Sequence, residues 1–271
     1  MSIQGLYTAL ITPFSHGAVD YGKLKEIVEM QIAGGVDGIL PTGTTGESPT
    51  LSVEEHLDVI EKVIEYANGR CKIMAGTGAN CTEEAIKLTR RAKAMGADSC
   101  LQVTPYYNKP TQEGLDRHFR AIAGAVDIPL VPYNVPGRTG CNMLPATLGR
   151  LARECPTIVG VKEATGDLHQ GSQTIAACPQ GFSVLSGDDF TVLPTYAVGG
   201  KGVKYLSLPM DEFKQAVIAQ LQDGKVVWFG SDVGKFGERE KGIWDDGCFD
   251  VETLTGLDLD LSKEDALNCW F

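Results

Sequence analysis

The chain has 271 residues, 43% hydrophobic and 22% charged, which suits one large α/β domain or two smaller ones around a real core. Its formal net charge of -11 argues against nucleic acid or an anionic membrane surface as partner, and no apolar run approaches the ~18 residues of a spanning helix. The start, Met-Ser-Ile-Gln-Gly-Leu-Tyr, lacks a basic region followed by an apolar one, and the eight cysteines show neither a CxxC pair nor metal-ligand spacing with the four histidines, so reduced thiols in the cytoplasm and no metal are expected.

Residues 1 to about 203 alternate strands with helices. The predicted strands are Tyr7–Thr12, Gly38–Thr42, Lys72–Ala75, Ser99–Thr104, Leu130–Tyr133, Ile158–Lys162 and Ser183–Ser186, with an eighth beginning at Gly202. Amphipathic helices are predicted over 20–33, 53–67, 82–95, 111–125, 143–154, 168–177 and 189–197. Ser52, Thr82 and Thr111 offer hydroxyl caps with acids in the following turn, and Gly69, Gly96 and Gly124 fall where left-handed helix ends are wanted. A βα period of about 30 residues, repeated seven to eight times, points to a (β/α)8 TIM barrel. A Rossmann fold lacks support, since no GxGxxG follows a strand and no GxxxxGK[ST] occurs.

Beyond residue 203 the rhythm stops. Residues 203–271 hold 14 acids, 7 bases and all three tryptophans. One helix is expected over Met210–Asp223 and a strand over Val226–Gly230, followed by an aperiodic stretch rich in glycine and aspartate. This is a segment of a different kind.

Chemistry in such a barrel belongs at the C-terminal ends of the strands. Lys162 sits in the run Thr157-Ile-Val-Gly-Val-Lys-Glu-Ala-Thr-Gly166, where alternation sets it beside Ile158 and Gly160, with Val159 and Val161 on the other face. Burial there disfavours an ammonium and makes the amine a nucleophile able to form a Schiff base with a ketone. The other strand ends carry Gly43-Thr-Thr-Gly-Glu-Ser48, Thr104-Pro-Tyr-Tyr-Asn108, Tyr133-Asn-Val-Pro-Gly-Arg-Thr139 and Ser186-Gly-Asp-Asp189. A glycine-bounded threonine pair offers N–H groups and hydroxyls to a carboxylate. Tyrosines move protons, and an arginine holds a second anion. Taken singly, each motif is as readily a polar turn, a rim aromatic or a surface charge. Together they fit a Schiff-base enzyme acting on a 2-keto acid. Lys204, where strand eight belongs, is a rival lysine without such neighbours.

These motifs closely resemble the dihydrodipicolinate synthase family over residues 1 to about 203. The resemblance implies a lyase of the class I aldolase type that condenses pyruvate with aspartate semialdehyde in lysine (diaminopimelate) biosynthesis, without a cofactor. It implies that Lys162 forms the Schiff base and that Thr44, Tyr133 and Tyr107 form a proton relay. In the family the tyrosine at the position of Tyr107 comes from the neighbouring subunit, so a homodimer or homotetramer is expected. Thr45 would hold the pyruvate carboxylate, with Gly187 and the strand-eight position of Lys204 also at the substrate, and Arg138 would meet the semialdehyde carboxylate. Ser48, His56, Asn80, Glu84 and Tyr106 match positions that bind lysine in feedback-sensitive members. Pro49 and Val53 depart from that pattern, which leaves feedback open.

The C-terminal departure is larger. Leu208-Pro-Met-Asp-Glu-Phe-Lys and Val226-Val-Trp-Phe-Gly-Ser-Asp-Val-Gly-Lys-Phe resemble an internal piece of bleomycin hydrolase or aminopeptidase C, without that family's catalytic cysteine, histidine and asparagine. The chain then divides into a barrel over 1–203 and a foreign segment over 204–271. Without a native strand eight, an exposed edge between the seventh and first strands is expected, where Gly202-Val-Lys-Tyr-Leu-Ser could pair and the amphipathic helix Met210–Asp223 could serve as a cover. A lysine at 204 would also be a like-charge neighbour of Lys162. A related pyruvate-dependent aldolase and an inactive chimeric chain are the alternatives.

Overall fold

A computed structural model describes residues 3–205, and of 203–205 the backbone alone. The helix and strand expected over Met210–Asp223 and Val226–Gly230, and the segment 204–271 almost entirely, lie outside the described residues. Ten strands are described: β1 (Gly5–Ala9), β2 (Phe14–Ser15), β3 (Ala18–Val19), β4 (Gly38–Leu40), β5 (Lys72–Gly76), β6 (Ser99–Val103), β7 (Leu130–Asn134), β8 (Gly160–Glu163), β9 (Ser183–Ser186) and β10 (Gly202–Tyr205). Between them run α1 (Tyr21–Ala33), α2 (Val53–Ala67), α3 (Thr82–Met95), α4 (Gln112–Ala125), α5 (Pro136–Thr139), α6 (Pro145–Glu154), α7 (Leu168–Ala177) and α8 (Val192–Ala197).

All strands but β2 and β3 form one closed parallel barrel in the order β1-β10-β9-β8-β7-β6-β5-β4. The expected open edge is therefore closed. β10 pairs β1 from Gly5↔Gly202 to Thr8↔Tyr205 and meets β9 at Gly202↔Leu185. Closure requires glycine at 202, because a Cβ there would lie 2.6 Å from the Gly5 carbonyl oxygen. Lys204 lies on this strand, level with Tyr7. The short antiparallel hairpin of β2 and β3 is an addition that hydrophobic periodicity does not signal.

Alternation sorts the barrel into an inner and an outer layer. Tyr7, Leu40, Met74, Leu101, Val131, Tyr133 and Leu185 fill the interior with Ile3. Their neighbours on the strands, among them Ile39, Ile73, Cys100, Leu130, Val161 and Val184, pack outward against helices that bring Leu24, Val28, Ile60, Leu115, Phe119 and Leu148. One assignment differs from strict alternation. Ile158 belongs to the outer layer with Val161, and Val159 packs on the inner one. The regular strand begins only at Gly160, with Ile158 forming an isolated bridge to Leu130, so the parity resets between them.

Helix ends follow local chemistry. Ser52 and Glu55 form a full capping box, and Thr111 accepts from the Gly114 N–H. Thr82 is not a cap: Cys81 holds that position, and the Thr82 hydroxyl meets His118 Nδ1 at 2.9 Å instead. Gly69 and Gly96 adopt positive φ, but Gly124 lies inside α4, which ends in extended Val126.

Candidate active site

The strands deliver their C-terminal ends to one mouth, and Lys162 stands near the end of β8. Lys162 is only 6% exposed and Tyr133 5%. They are register partners on β8 and β7, and the lysine Nζ lies 4.0 Å from the centroid of the tyrosine ring. Burial raises the Tyr133 phenol above its ordinary value, Arg138 opposes that, Asp188 adds to it, and the neighbouring Thr44 hydroxyl opposes it further. A lysine, a tyrosine and a threonine predicted to act together are thus brought into one chain of contacts.

The Thr44–Thr45 loop is held in an unusual backbone shape. Thr42 and Glu47 have φ of 52° and 56°, in the left-handed region. The Thr42 hydroxyl donates to the Gly76 carbonyl at 3.1 Å, and the Thr12 hydroxyl donates to the Gly46 carbonyl at 2.7 Å. The amides of Gly46, Glu47 and Ser48 turn inward onto Gly43 and Thr44 carbonyls, whereas those of Thr44 and Thr45 donate to no backbone carbonyl among the described residues. Such a pair of N–H groups suits a carboxylate.

A cavity of about 320 Å³ opens above, walled by Gly43, Thr44, Tyr106, Tyr133, Arg138 and Thr139 among others. Lys162 lies beneath the Tyr133 ring rather than in the wall. Arg138 is carried by the short helix α5, started by Pro136 directly after β7, and its guanidinium is exposed. Tyr107 is not brought to the cavity by its own chain: it is 90% exposed, with φ of 70°.

Gly187 has a steric reason. Its amide donates to the Glu163 carbonyl at 2.7 Å, and a Cβ would stand 2.9 Å from Lys162 Cε and 2.6 Å from Ala164 Cβ. The two acids that follow escaped attention in the sequence as site residues. Burial raises both, with Lys162 opposing. For Asp188 the opposition is shared with Arg138, and Asp189 is pushed from 3.8 to about 7. Their signal was an acid pair just past the end of the strand that pairs with the lysine's own.

The five positions matched to a lysine site also converge. The His56 Nε2–H donates to the Gly76 carbonyl at 2.7 Å, which leaves Nδ1 to accept from the Ser48 hydroxyl at 3.4 Å. Burial lowers the His56 pKa, with Gly76 and Glu84 opposing. Asn80 donates to the Tyr106 carbonyl at 3.3 Å, and burial followed by Glu84 raises the Tyr106 phenol. Among the described residues no group of three His, Cys, Asp or Glu side chains could hold a metal ion, and no helix is long and apolar enough to cross a membrane.

A model of the dihydrodipicolinate synthetase family matches residues 2–225, and a model of the Peptidase C1-like family matches 191–270. The 4-hydroxy-tetrahydrodipicolinate synthase of Nitratidesulfovibrio vulgaris is 56% identical over 203 residues, covering 75% of this chain and 70% of the relative. The chloride-inhibited dihydrodipicolinate synthase of Acinetobacter baumannii, solved in complex with pyruvate, superposes with a TM-score of 0.76 at 48% identity, over 82% of this chain and 77% of that one. A monomeric dihydrodipicolinate synthase variant superposes with a TM-score of 0.77 at 38% identity, over 82% and 75%. By sequence and by fold, the chain belongs to the dihydrodipicolinate synthetase family.

Proposed function

We propose that this chain is a Schiff-base lyase that condenses pyruvate with aspartate semialdehyde to 4-hydroxy-tetrahydrodipicolinate, a step of lysine biosynthesis. The carrying observation is the buried Lys162 amine against a tyrosine that shares its cavity wall with Thr44. The amine adds to the pyruvate ketone, and water leaves to give the imine. Loss of a methyl proton through Tyr133 and Thr44 gives the enamine, whose carbon attacks the aldehyde. The Thr45 N–H holds the pyruvate carboxylate beside Gly187, and Arg138 holds the acceptor carboxylate. The Schiff base makes a cofactor unnecessary. The strand-eight backbone at Lys204 completes the pyruvate side.

Tyr107 completes the relay from a second subunit of a homodimer or homotetramer, a reading its exposure favours. Ser48, His56, Asn80, Glu84 and Tyr106 form the candidate lysine-binding set. The enzyme works in the cytoplasm, with neither nucleic acid nor membrane as partner. Residues 204–271 are a foreign segment without peptidase catalytic residues, in keeping with the second family match.

Borohydride trapping with pyruvate, read by intact mass and peptide mapping, tests the reading. A reduced adduct on Lys162 is expected. A folded sample that gives none would sink the lyase assignment and favour an inactive chimera. A panel of aldehyde acceptors separates this activity from that of a related aldolase.

A further inference from the structure

β7 and β8 meet at only two adjacent rungs, Tyr133↔Lys162 and Asn134↔Glu163, beyond the isolated Leu130↔Ile158 bridge. Pro132 lies between, and a proline has no N–H to give the ladder. The ladder between the strands that hold the reacting pair therefore lacks the bond that position 132 would give, and resumes at the last rung, where the Ala164 N–H donates to the Asn134 carbonyl at 2.9 Å.

Side chains on the next rung supply a second connection. Asn134 Nδ2 donates toward both Glu163 oxygens at 3.4 Å, the Thr165 N–H donates at 3.1 Å, and Gln170 Nε2 donates at 3.5 Å. Asn142 ties the two amides together: its Oδ1 accepts from Asn134 at 2.8 Å and from Gln170 at 3.0 Å, and its own Nδ2 donates to Gln170 at 2.8 Å. The Met143 N–H donates to Asn134 Oδ1 at 2.9 Å. Glu163 is buried, and no cation within ion-pair distance neutralises it among the described residues. A carboxylate is the only side chain of this length that accepts from every direction, and here three donors converge on it.

We infer that Glu163 is a positioning residue: its carboxylate locks the Asn134 rung and thereby sets the spacing of the Tyr133 ring and the Lys162 amine on the rung before it. The inference rests on the lyase reading for its consequence in turnover, but the spacing itself is a property of the fold. Either protonation or Glu163→Gln places a donor among donors. Burial raises the Glu163 carboxyl, with Thr165, Asn134 and Gln170 opposing. The charged groups nearest in sequence on β8 and at the start of α7 are Lys162, on the opposite face, and Asp167 and His169, both exposed. β7 and the segment 140–144 bring only uncharged groups to it.

The test uses the full chain. Acetic anhydride labelling of Lys162, read by peptide mapping against pH, needs no turnover. Glu163→Gln is expected to change the Lys162 labelling rate at least threefold, and Glu163→Asp to stay closer to wild type. Gln170→Ala, which removes one donor, gives a smaller change in the same direction and serves if Glu163→Gln does not fold. In turnover, Glu163→Gln is expected to lose about 10–100-fold in kcat at little-changed KM for the aldehyde, and to lose the acid limb of the wild-type kcat profile that Glu163 supplies. Unchanged labelling in folded Glu163→Gln and Gln170→Ala overturns the inference, as does equal loss in Glu163→Asp and Glu163→Gln. Absence of a pyruvate adduct in the wild type would overturn the lyase reading instead, and the labelling would still decide this one.

Discussion

The Tyr133 ring and the Lys162 amine are register partners across β7 and β8, 4.0 Å apart. The ring is bounded at two ends. Its backbone belongs to the sheet, and its phenol shares the cavity wall with Thr44 from the loop after β4, whose hydroxyl opposes the rise of its pKa. Two different parts of the mouth therefore meet at one side chain, and ring and hydroxyl have separable roles.

Tyr133→Phe separates them. The ring stays over the amine, so the trapped pyruvate adduct should still form on Lys162. The hydroxyl beside Thr44 is lost, so kcat should fall by about 10²–10⁴-fold, the usual worth of a positioned proton carrier. Steady-state kinetics beside borohydride trapping checks both. Loss of the adduct in a folded variant would mean that the hydroxyl, not the ring, organises the amine.

Gly187→Ala tests the opposite wall. A Cβ at 2.9 Å from Lys162 Cε and 2.6 Å from Ala164 Cβ must displace the lysine stem or the strand end. Overpacking of this kind costs about 1–3 kcal/mol. Thermal unfolding should register that cost, and the adduct should form markedly more slowly. Wild-type trapping kinetics would show that the stem has room to move.

The barrel was largely readable before its structure because each βα unit repeats the same local grammar, with a β-branched run, a turn and a capped amphipathic helix. Strand eight was readable in its start at Gly202 but not in its pairing. Gly202–Tyr205 closes the barrel through backbone pairing with β1, a long-range event that four residues cannot announce. Lys162, Tyr133, Thr44, Thr45 and Arg138 were readable by type and by position at strand ends. Asp188 and Asp189 were not, because an acid pair in a loop looks like a solvated turn until burial is seen. Glu163 was hidden for a related reason: alternation turns it away from the mouth, and only the convergence of Asn134, Thr165 and Gln170 reveals it.

Arg138 stands apart from the amine, so its removal should split the two half-reactions. In Arg138→Ala the pyruvate adduct should form as in the wild type. KM for the aldehyde should rise about 10–100-fold, matching the ~1.5–3 kcal/mol of a hydrogen bond to a charged group. Arg138→Lys should recover only part of this, since an ammonium lacks the fork that grips a carboxylate. An unchanged KM would place the acceptor carboxylate elsewhere.

Asp189 makes stability depend on pH in a defined window. Burial lifts its carboxyl from 3.8 to about 7, with Lys162 opposing and Asp188 adding. A raised value means that the folded chain binds the proton more tightly than the unfolded chain. Its stabilising contribution is therefore complete below pH ~4 and is lost as pH rises through about 7. The difference between 3.8 and about 7 caps the effect at about 4 kcal/mol, and residual solvent contact reduces it to about 1–2 kcal/mol. Asp189→Asn removes the titration. Relative to the wild type, its Tm should climb between pH 4 and 7 and level off above, by about 2–8 °C for a domain of this size. Thermal unfolding of both chains across pH 4–8 reads this directly. A difference that stays flat over that range would mean the Asp189 carboxyl is solvated in the folded chain, and would remove it from the surroundings of Lys162.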